Sequence, residues 1–321
     1  MFELTENRNT KGRELRTSVV ESILELIKEN DKVVALEADL GGASYFNKIN
    51  KAAPHNFIQM GIQEANMVGV AAGISIVGYV PFVHTFAPFA TRRVLDQIFM
   101  SGSYSKNTIN IYGSDPGYCV GTNGGTHTSF EDVALLRAIP EIVICDGADD
   151  TQVAWIVKEF AKMEGVHYLR ANRKAVRDIY KAGSSFQIGK GNLIFEGKDV
   201  LIISAGELVS DALDARDILE AQGYSVGVID MFTIKPLDEK LIIEQAAKAK
   251  IVVTFENHSV IGGLGSAVGE VIVENRLNPI FKRIGVEDKF GQVGSPDFLK
   301  EKYGLTSKRL VKEIKTLSGK M

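Results

Sequence analysis

The sequence is poor in the features that would assign it quickly. It has two cysteines, Cys119 and Cys145, in 321 residues. That excludes a disulfide framework, and no CxxC pair suggests zinc. Neither sign of charge dominates: 37 Lys and Arg stand against 40 Asp and Glu, a formal net charge of −3. With the two signs interspersed, there is no electrostatic case for nucleic acid or an anionic membrane. No uncharged apolar run reaches membrane-spanning length. The first residues, Met1-Phe2-Glu3-Leu4-Thr5-Glu6-Asn7-Arg8, lack the basic-then-apolar order of a signal peptide, so a cytoplasmic location is expected. A Walker loop, a Gly-x-Ser-x-Gly elbow and a His-Glu-x-x-His pair are all missing. There is no low-complexity tract and no repeat of solenoid length.

What is present is a regular alternation of short apolar runs with helical periods. The length suits two domains, each with a sizeable core. Strands are expected over 33–36, 57–60, 80–84, 109–112, 142–145 and 166–170. Helices are expected over 12–29, from Glu64 onward, and over 86–101, 130–138 and 149–163, the last with Asp149 or Asp150 as its cap. A polar, basic, glycine-containing stretch then separates the halves, giving domains 1–175 and 196–321 with a linker over 176–195. The second half repeats the alternation, with strands over 200–204, 226–230, 251–255 and 282–286 and helices over 208–222, 237–248 and 264–275, before a helical tail. The fold class is therefore α/β: two domains, each a mostly parallel sheet flanked by helices. Such sheets bind ligands outside the carboxyl ends of their strands. Asp39, Glu64, the loop 113–127 and Arg170 fall there or close by.

Three stretches could carry chemistry. The helix Glu64-Ala65-Asn66-Met67-Val68-Gly69-Val70-Ala71-Ala72-Gly73 holds one carboxylate, Glu64, in its first turn. On the segment alone that is a dipole-stabilising acid. Gly69, Ala72 and Gly73 would let the helix approach another backbone closely. Phe86 and Phe89 sit three apart, either as core or as a stacking surface for a flat heterocycle. Arg92 and Arg93 follow one turn later and could simply be solvated. The loop Gly117 to His127 is glycine-rich, which permits close backbone approach to a ligand, and His127 ends it just before a helix. Gly262-Gly263-Leu264-Gly265-Ser266 superficially suggests a dinucleotide loop. Val268 stands where the third glycine belongs, so a tight strand-to-helix turn is the better reading. His258, beside it, has no assigned role.

Together these pieces resemble the C-terminal half of transketolase over nearly the whole chain, as a pyrimidine-binding domain followed by the C-terminal domain. Gly61-Ile62-Gln63-Glu64-Ala65 looks like the segment bearing the family's cofactor-activating glutamate. Pro81-Phe82-Val83-His84-Thr85-Phe86-Ala87-Pro88-Phe89 looks like its aromatic pyrimidine platform. Asn123-Gly124-Gly125-Thr126-His127 looks like its Asp-Gly-x-Thr/Ser-His loop, and the run from Phe130 to Pro140 is also transketolase-like. The resemblance implies thiamine diphosphate with Mg²⁺ and transfer of a two-carbon ketol unit from a ketose phosphate to an aldose phosphate. Glu64 would bond a pyrimidine nitrogen and so help the coenzyme's own amine deprotonate the thiazolium. Phe86 and Phe89, with Arg92 in place of a third aromatic, would hold the ring, and Asp39 matches an aspartate near the cofactor. His127, Asn123, Asp115, Ser44 and Arg170 would meet the sugar phosphate, with His127 also helping in proton transfer.

The family's diphosphate-binding domain, with its Gly-Asp-Gly metal motif, has no counterpart in this sequence. The resemblance therefore implies the smaller subunit of a split transketolase, active only with a separate chain that supplies the diphosphate and Mg²⁺ site, in an α₂β₂ assembly. Two departures bear on the substrate. Asn123 replaces an aspartate that contacts a donor hydroxyl, and Asp115 falls where many members have a phosphate-binding histidine. The alternatives on the same scaffold are a β subunit of a 2-oxo acid dehydrogenase and a deoxyxylulose-phosphate-synthase-like half.

Overall fold

Buried, β-branched runs alternating with half-apolar helices build two separate parallel sheets in the computed structural model, which describes residues 1–319. The first half supplies β1 (Lys11–Glu14), β2 (Val33–Glu37), β3 (Phe57–Gln59), β4 (Val80–Phe86), β5 (Ile109–Ser114), β6 (Val143–Asp146), β7 (Val166–Ala171) and β8 (Ala175–Arg177). The second supplies β9 (Asn192–Phe195), β10 (Val200–Ser204), β11 (Val226–Asp230), β12 (Thr233–Lys235), β13 (Ile251–Ser259) and β14 (Ile280–Val286). The larger sheet runs β12-β6-β7-β5-β4-β2-β3 and the smaller β14-β13-β10-β11-β9. Only β12 and β9 run antiparallel to their neighbours in these two sheets. Strands such as β2, β7, β10 and β11 are buried at every position, as expected of parallel strands covered by helices on both faces.

The two halves interlock. β12 leaves the second half and pairs with β6, Thr233 opposite Cys145. Three residues ahead of a proline give no period to detect, so this strand could not be read from sequence. One continuous apolar cluster joins Ile144 and Tyr168 of the first sheet to Leu201 and Ile229 of the second and to Leu264 on a helix of the second half. The expected linker 176–195 takes in the end of β8 and all of β9, and between them its Phe186 packs edge-on against Tyr180, Trp155 and Phe232. Asp149 caps its own helix through the Gln152 amide and also accepts from the Ile179 and Tyr180 amides, which fixes the chain leaving the first half. The last two residues of the expected domain 196–321 lie outside the described residues.

The helix expected over 86–101 is broken. Phe86 ends β4, a short helix spans Ala87–Ala90, and Thr91 interrupts it at φ −130°, ψ −77°. A 3₁₀ turn, Arg92–Val94, then precedes a π-helical segment, Ile98–Tyr104. The crevice at the carboxyl ends of β10 and β13, where a doubly wound sheet ordinarily holds a ligand, is filled by the chain itself. Asn257 accepts from the Tyr118 amide and donates to the Pro116 carbonyl, seating the Gly117–Asn123 turn there. Beside it, Glu256 accepts from the Leu264 and Gly265 amides at the start of the helix Leu264–Glu274. The Gly262 turn thus cradles a carboxylate from its own chain. Among the described residues no helix is long and apolar enough to cross a membrane.

Candidate active site

Strand register carries polar residues to one edge of the larger sheet. Glu37, the last residue of β2, lies opposite His84 of β4 and Gln59 of β3, and Phe86 lies opposite Ser114 of β5. Glu64 opens the helix Glu64–Ile76 against this edge and is only 3 % exposed. Its Oε1 accepts from Thr85 Oγ1 at 3.3 Å and from Arg93 Nη1 at 2.7 Å. The buried carboxylate is therefore paired, as a charge removed from water must be.

Beside it stands an aromatic corner. Phe86 and Phe89 have ring centroids 6.4 Å apart, and the His127 ring is edge-on to both, at 5.9 and 5.1 Å. His127 Nδ1 lies 3.0 Å from Thr126 Oγ1. The loop delivering His127 is pressed against a second loop from the C-terminal half: a Cβ on Gly125 would lie 2.4 Å from the Gly291 carbonyl oxygen. Gly121 and Gly124 hold positive φ of 61° and 79°. Close approach and left-handed backbone account for the loop's glycines. Arg92 reaches Glu131 and the Thr126 carbonyl and so ties this loop to the turn that follows Phe89.

Not every expected site residue joins this corner. Asp39 does lie at the sheet edge, exposed, in a left-handed turn at φ 59°. Asn123 is exposed on the glycine loop. Arg170, expected to hold a phosphate, is 2 % exposed and turned inward. Its Nε donates to Asp132 and its Nη1 to Asp146, both at 2.8 Å, and its Nη2 bonds the Asn257 carbonyl. It locks the two halves together and has no free face for a substrate. Ser44 is fully buried; its hydroxyl accepts from the Phe46 amide and donates to the Leu40 carbonyl. Asp115 is also buried and accepts from both the Arg173 amide and its Nε. Burial raises the Asp115 pKa, with Arg173 opposing the shift. At all three positions the polar groups are engaged by partners within the fold.

Several residues went unread in the sequence. His84 bridges Glu37, 3.3 Å from its Nδ1, and Ser114, 3.0 Å from its Nε2. Burial lowers the His84 pKa despite the neighbouring Glu37. Glu37 also accepts from the Leu40 amide and from Gln59 Nε2, while Gln59 Oε1 accepts from the Asp39 and Gly61 amides. One hydrogen-bonded frame therefore sets both the Asp39 turn and the Gly61 turn that leads into Glu64. Arg173 lies over Phe86, 4.8 Å from its centroid. A lone Glu and a lone His in apolar strands look like core residues; only the register places them side by side.

A buried carboxylate at a helix start, next to an aromatic corner with a histidine at its rim, matches the donor set a flat, nitrogen-bearing ring requires. Comparison with known proteins agrees. The transketolase pyrimidine-binding domain model matches residues 11–178 and the transketolase C-terminal domain model residues 189–310. The chain is 42% identical to the 6-deoxy-6-sulfo-D-fructose transketolase subunit of Clostridium sp. (strain MSTE9), over 93% of this chain and 92% of that protein. It is 34% identical to an apulose-4-phosphate transketolase subunit of Phocaeicola vulgatus, over 92% of this chain and 95% of that protein. Among solved structures it superposes on a split gene transketolase, described as an inactive beta4 tetramer, with TM-score 0.87 and 40% identity over 95% of this chain and 98% of that one. Both domain models, the arrangement of the two sheets and these likenesses give one conclusion: the chain belongs to the transketolase family, as its pyrimidine-binding and C-terminal domains.

Proposed function

We propose that this chain is the smaller subunit of a thiamine diphosphate-dependent transketolase and acts with a second chain that holds the diphosphate and Mg²⁺. The observation that carries the reading is Glu64, buried at a helix start beside Phe86, Phe89 and His127. Thiamine diphosphate, when bound, supplies a carbon nucleophile for ketol transfer. In this chain Phe89 and Phe86 would orient its pyrimidine, and Glu64 would hold a proton at a ring nitrogen, away from water. His127, at the rim, bonds an oxygen of the sugar and moves its proton. Asp39 and Asn123 line the mouth.

The partner reading draws on the names of the relatives, two of which are subunits and one a split-gene product. It also draws on the surface. The Glu64 helix ends in Ile76, 72 % exposed, and is flanked by Ile62 in the turn before it, also 72 % exposed, and by Val77 after it, with Met100 and Tyr104 exposed on the π-helical segment. A Cβ at Gly69 or Gly73 would meet nothing within 4 Å. An apolar helix face with open glycines, starting at the residue that meets the coenzyme, suits a chain that completes the same site. We place partner subunits there, in an α₂β₂ enzyme.

The donor is a ketose carrying a terminal anion, as the names of the two relatives suggest. With Arg170 and Asp115 engaged inside the fold, that anion is met by other groups. Product analysis of the two-chain enzyme tests the reaction. Passage of two carbons from ketose phosphate to aldose, without carbon dioxide, is expected. Decarboxylation of a 2-oxo acid would instead support a dehydrogenase β subunit or a deoxyxylulose-phosphate-synthase-like enzyme.

A further inference from the structure

Arg93 has no part in the function derived above, yet it touches the two groups that matter most. Its guanidinium carbon lies 3.9 Å from the Phe89 centroid, and its Nη1 donates to Glu64 Oε1 at 2.7 Å. One planar cation thus covers the ring face and neutralises the buried acid. A flat heterocycle laid on Phe89 with a nitrogen against Glu64 needs the same two places. A ring on that face of Phe89 that bonds Glu64 Oε1 would compete with Arg93 for both.

We propose that Arg93 is a displaceable plug of the pyrimidine site, holding Glu64 and the face of Phe89 until the incoming ring takes both. The proposal rests on the cofactor reading above. The Arg93 side chain is 43 % exposed while that of Glu64 is 3 % exposed, so the arginine has a way out and the acid does not. Its neighbour Arg92 is tied instead to Glu131 and the Thr126 carbonyl. The broken helix after Thr91 turns Arg93, and not Arg92, onto Glu64. The plug also explains how a carboxylate sequestered from water is tolerated, since a buried charge left without a partner is strongly destabilising.

The consequence is competition. Each molecule of coenzyme that binds displaces a charge-assisted hydrogen bond and a cation–π contact. Arg93→Met keeps bulk and removes both. Titration of the two-chain enzyme with thiamine diphosphate and Mg²⁺, followed by calorimetry, is expected to give binding about tenfold tighter for Arg93→Met than for wild type, the equivalent of about 1.4 kcal/mol. Without ligand the same variant should melt lower, because Glu64 loses its counter-charge, and Glu64→Gln in that background should restore the melting point. Arg93→Lys, which keeps charge without the planar face, should bind with intermediate affinity. Unchanged or weaker binding by both variants, each folded, would overturn the plug. No binding by the wild-type enzyme would overturn the cofactor reading itself, and the plug with it.

Discussion

At the scale of single residues, the candidate site is an economy of charge. Glu64 and Arg93 neutralise one another at the sheet edge, Asp115 and Arg173 do so behind Phe86, and Arg170 sits between Asp132 and Asp146 in the interior. Phe89→Ala removes the stacking surface and is expected to weaken thiamine diphosphate binding by roughly tenfold, as lost aromatic contacts of about 1–1.5 kcal/mol imply; a titration of the two-chain enzyme reads this directly. Arg170→Ala leaves two aspartates buried without a cation. It should cost about 3–5 kcal/mol of stability, visible as a fall in denaturation midpoint. A rise in the substrate KM at unchanged stability would restore Arg170 to the substrate site. Glu64, Phe86, Phe89 and His127 stand out in the sequence by residue type and order, and the fold brings them near one another. Arg170 and Ser44 were matched by type as well, but sequence says nothing of which way a side chain turns at a strand end. Glu37 and His84, 47 positions apart, meet only through register.

At the scale of elements, strands and long helices followed from their periods, whereas the interruptions did not. Thr91 breaks a stretch whose apolar spacing reads as one helix. β1, β8, β9 and β12 are three or four residues long and, unlike the equally short β6 with its apolar Val143-Ile144-Cys145, three of them are broken by charged or polar residues. The turn at Gly262 shows what replaces a ligand. Glu256 caps the helix that follows, and burial pushes its pKa up to about 7. The unfolded chain releases this proton near the ordinary value of 4.5. Between those pH values the folded state binds more protons than the unfolded one. The group's contribution is therefore full below about 4.5 and is lost as pH rises through about 7. Glu256→Gln keeps the shape and cannot titrate. In thermal melts, wild type should lose stability relative to this variant as pH rises from 4.5 to 7, and the difference should level off above that. Wild type gaining on the variant as pH rises toward 4.5, with no change from 4.5 to 7, would mean that Glu256 is ionised in the fold and stabilises as a charge.

At the scale of the molecule, the two halves form one interlocked body through β12, the shared apolar cluster and the Arg170 network, so the site's position is set by both. The sequence predicted two α/β units but not this exchange of a strand. The exposed apolar face of the Glu64 helix is the remaining feature. Ile76→Glu, at a position 72 % exposed, should leave the fold intact and weaken association with other subunits, measurable by sedimentation; unaltered association would place the interface elsewhere. The most direct test combines both chains. Ketol transfer is measured for this chain, for a diphosphate-binding partner, and for their mixture, with wild-type and Glu64→Gln protein. The mixture alone should turn over, and Glu64→Gln should lower kcat by at least about a hundredfold while still assembling with the partner. Full turnover by the Glu64→Gln mixture, or by this chain unaided, would contradict a shared site in which Glu64 acts on a coenzyme held by another polypeptide.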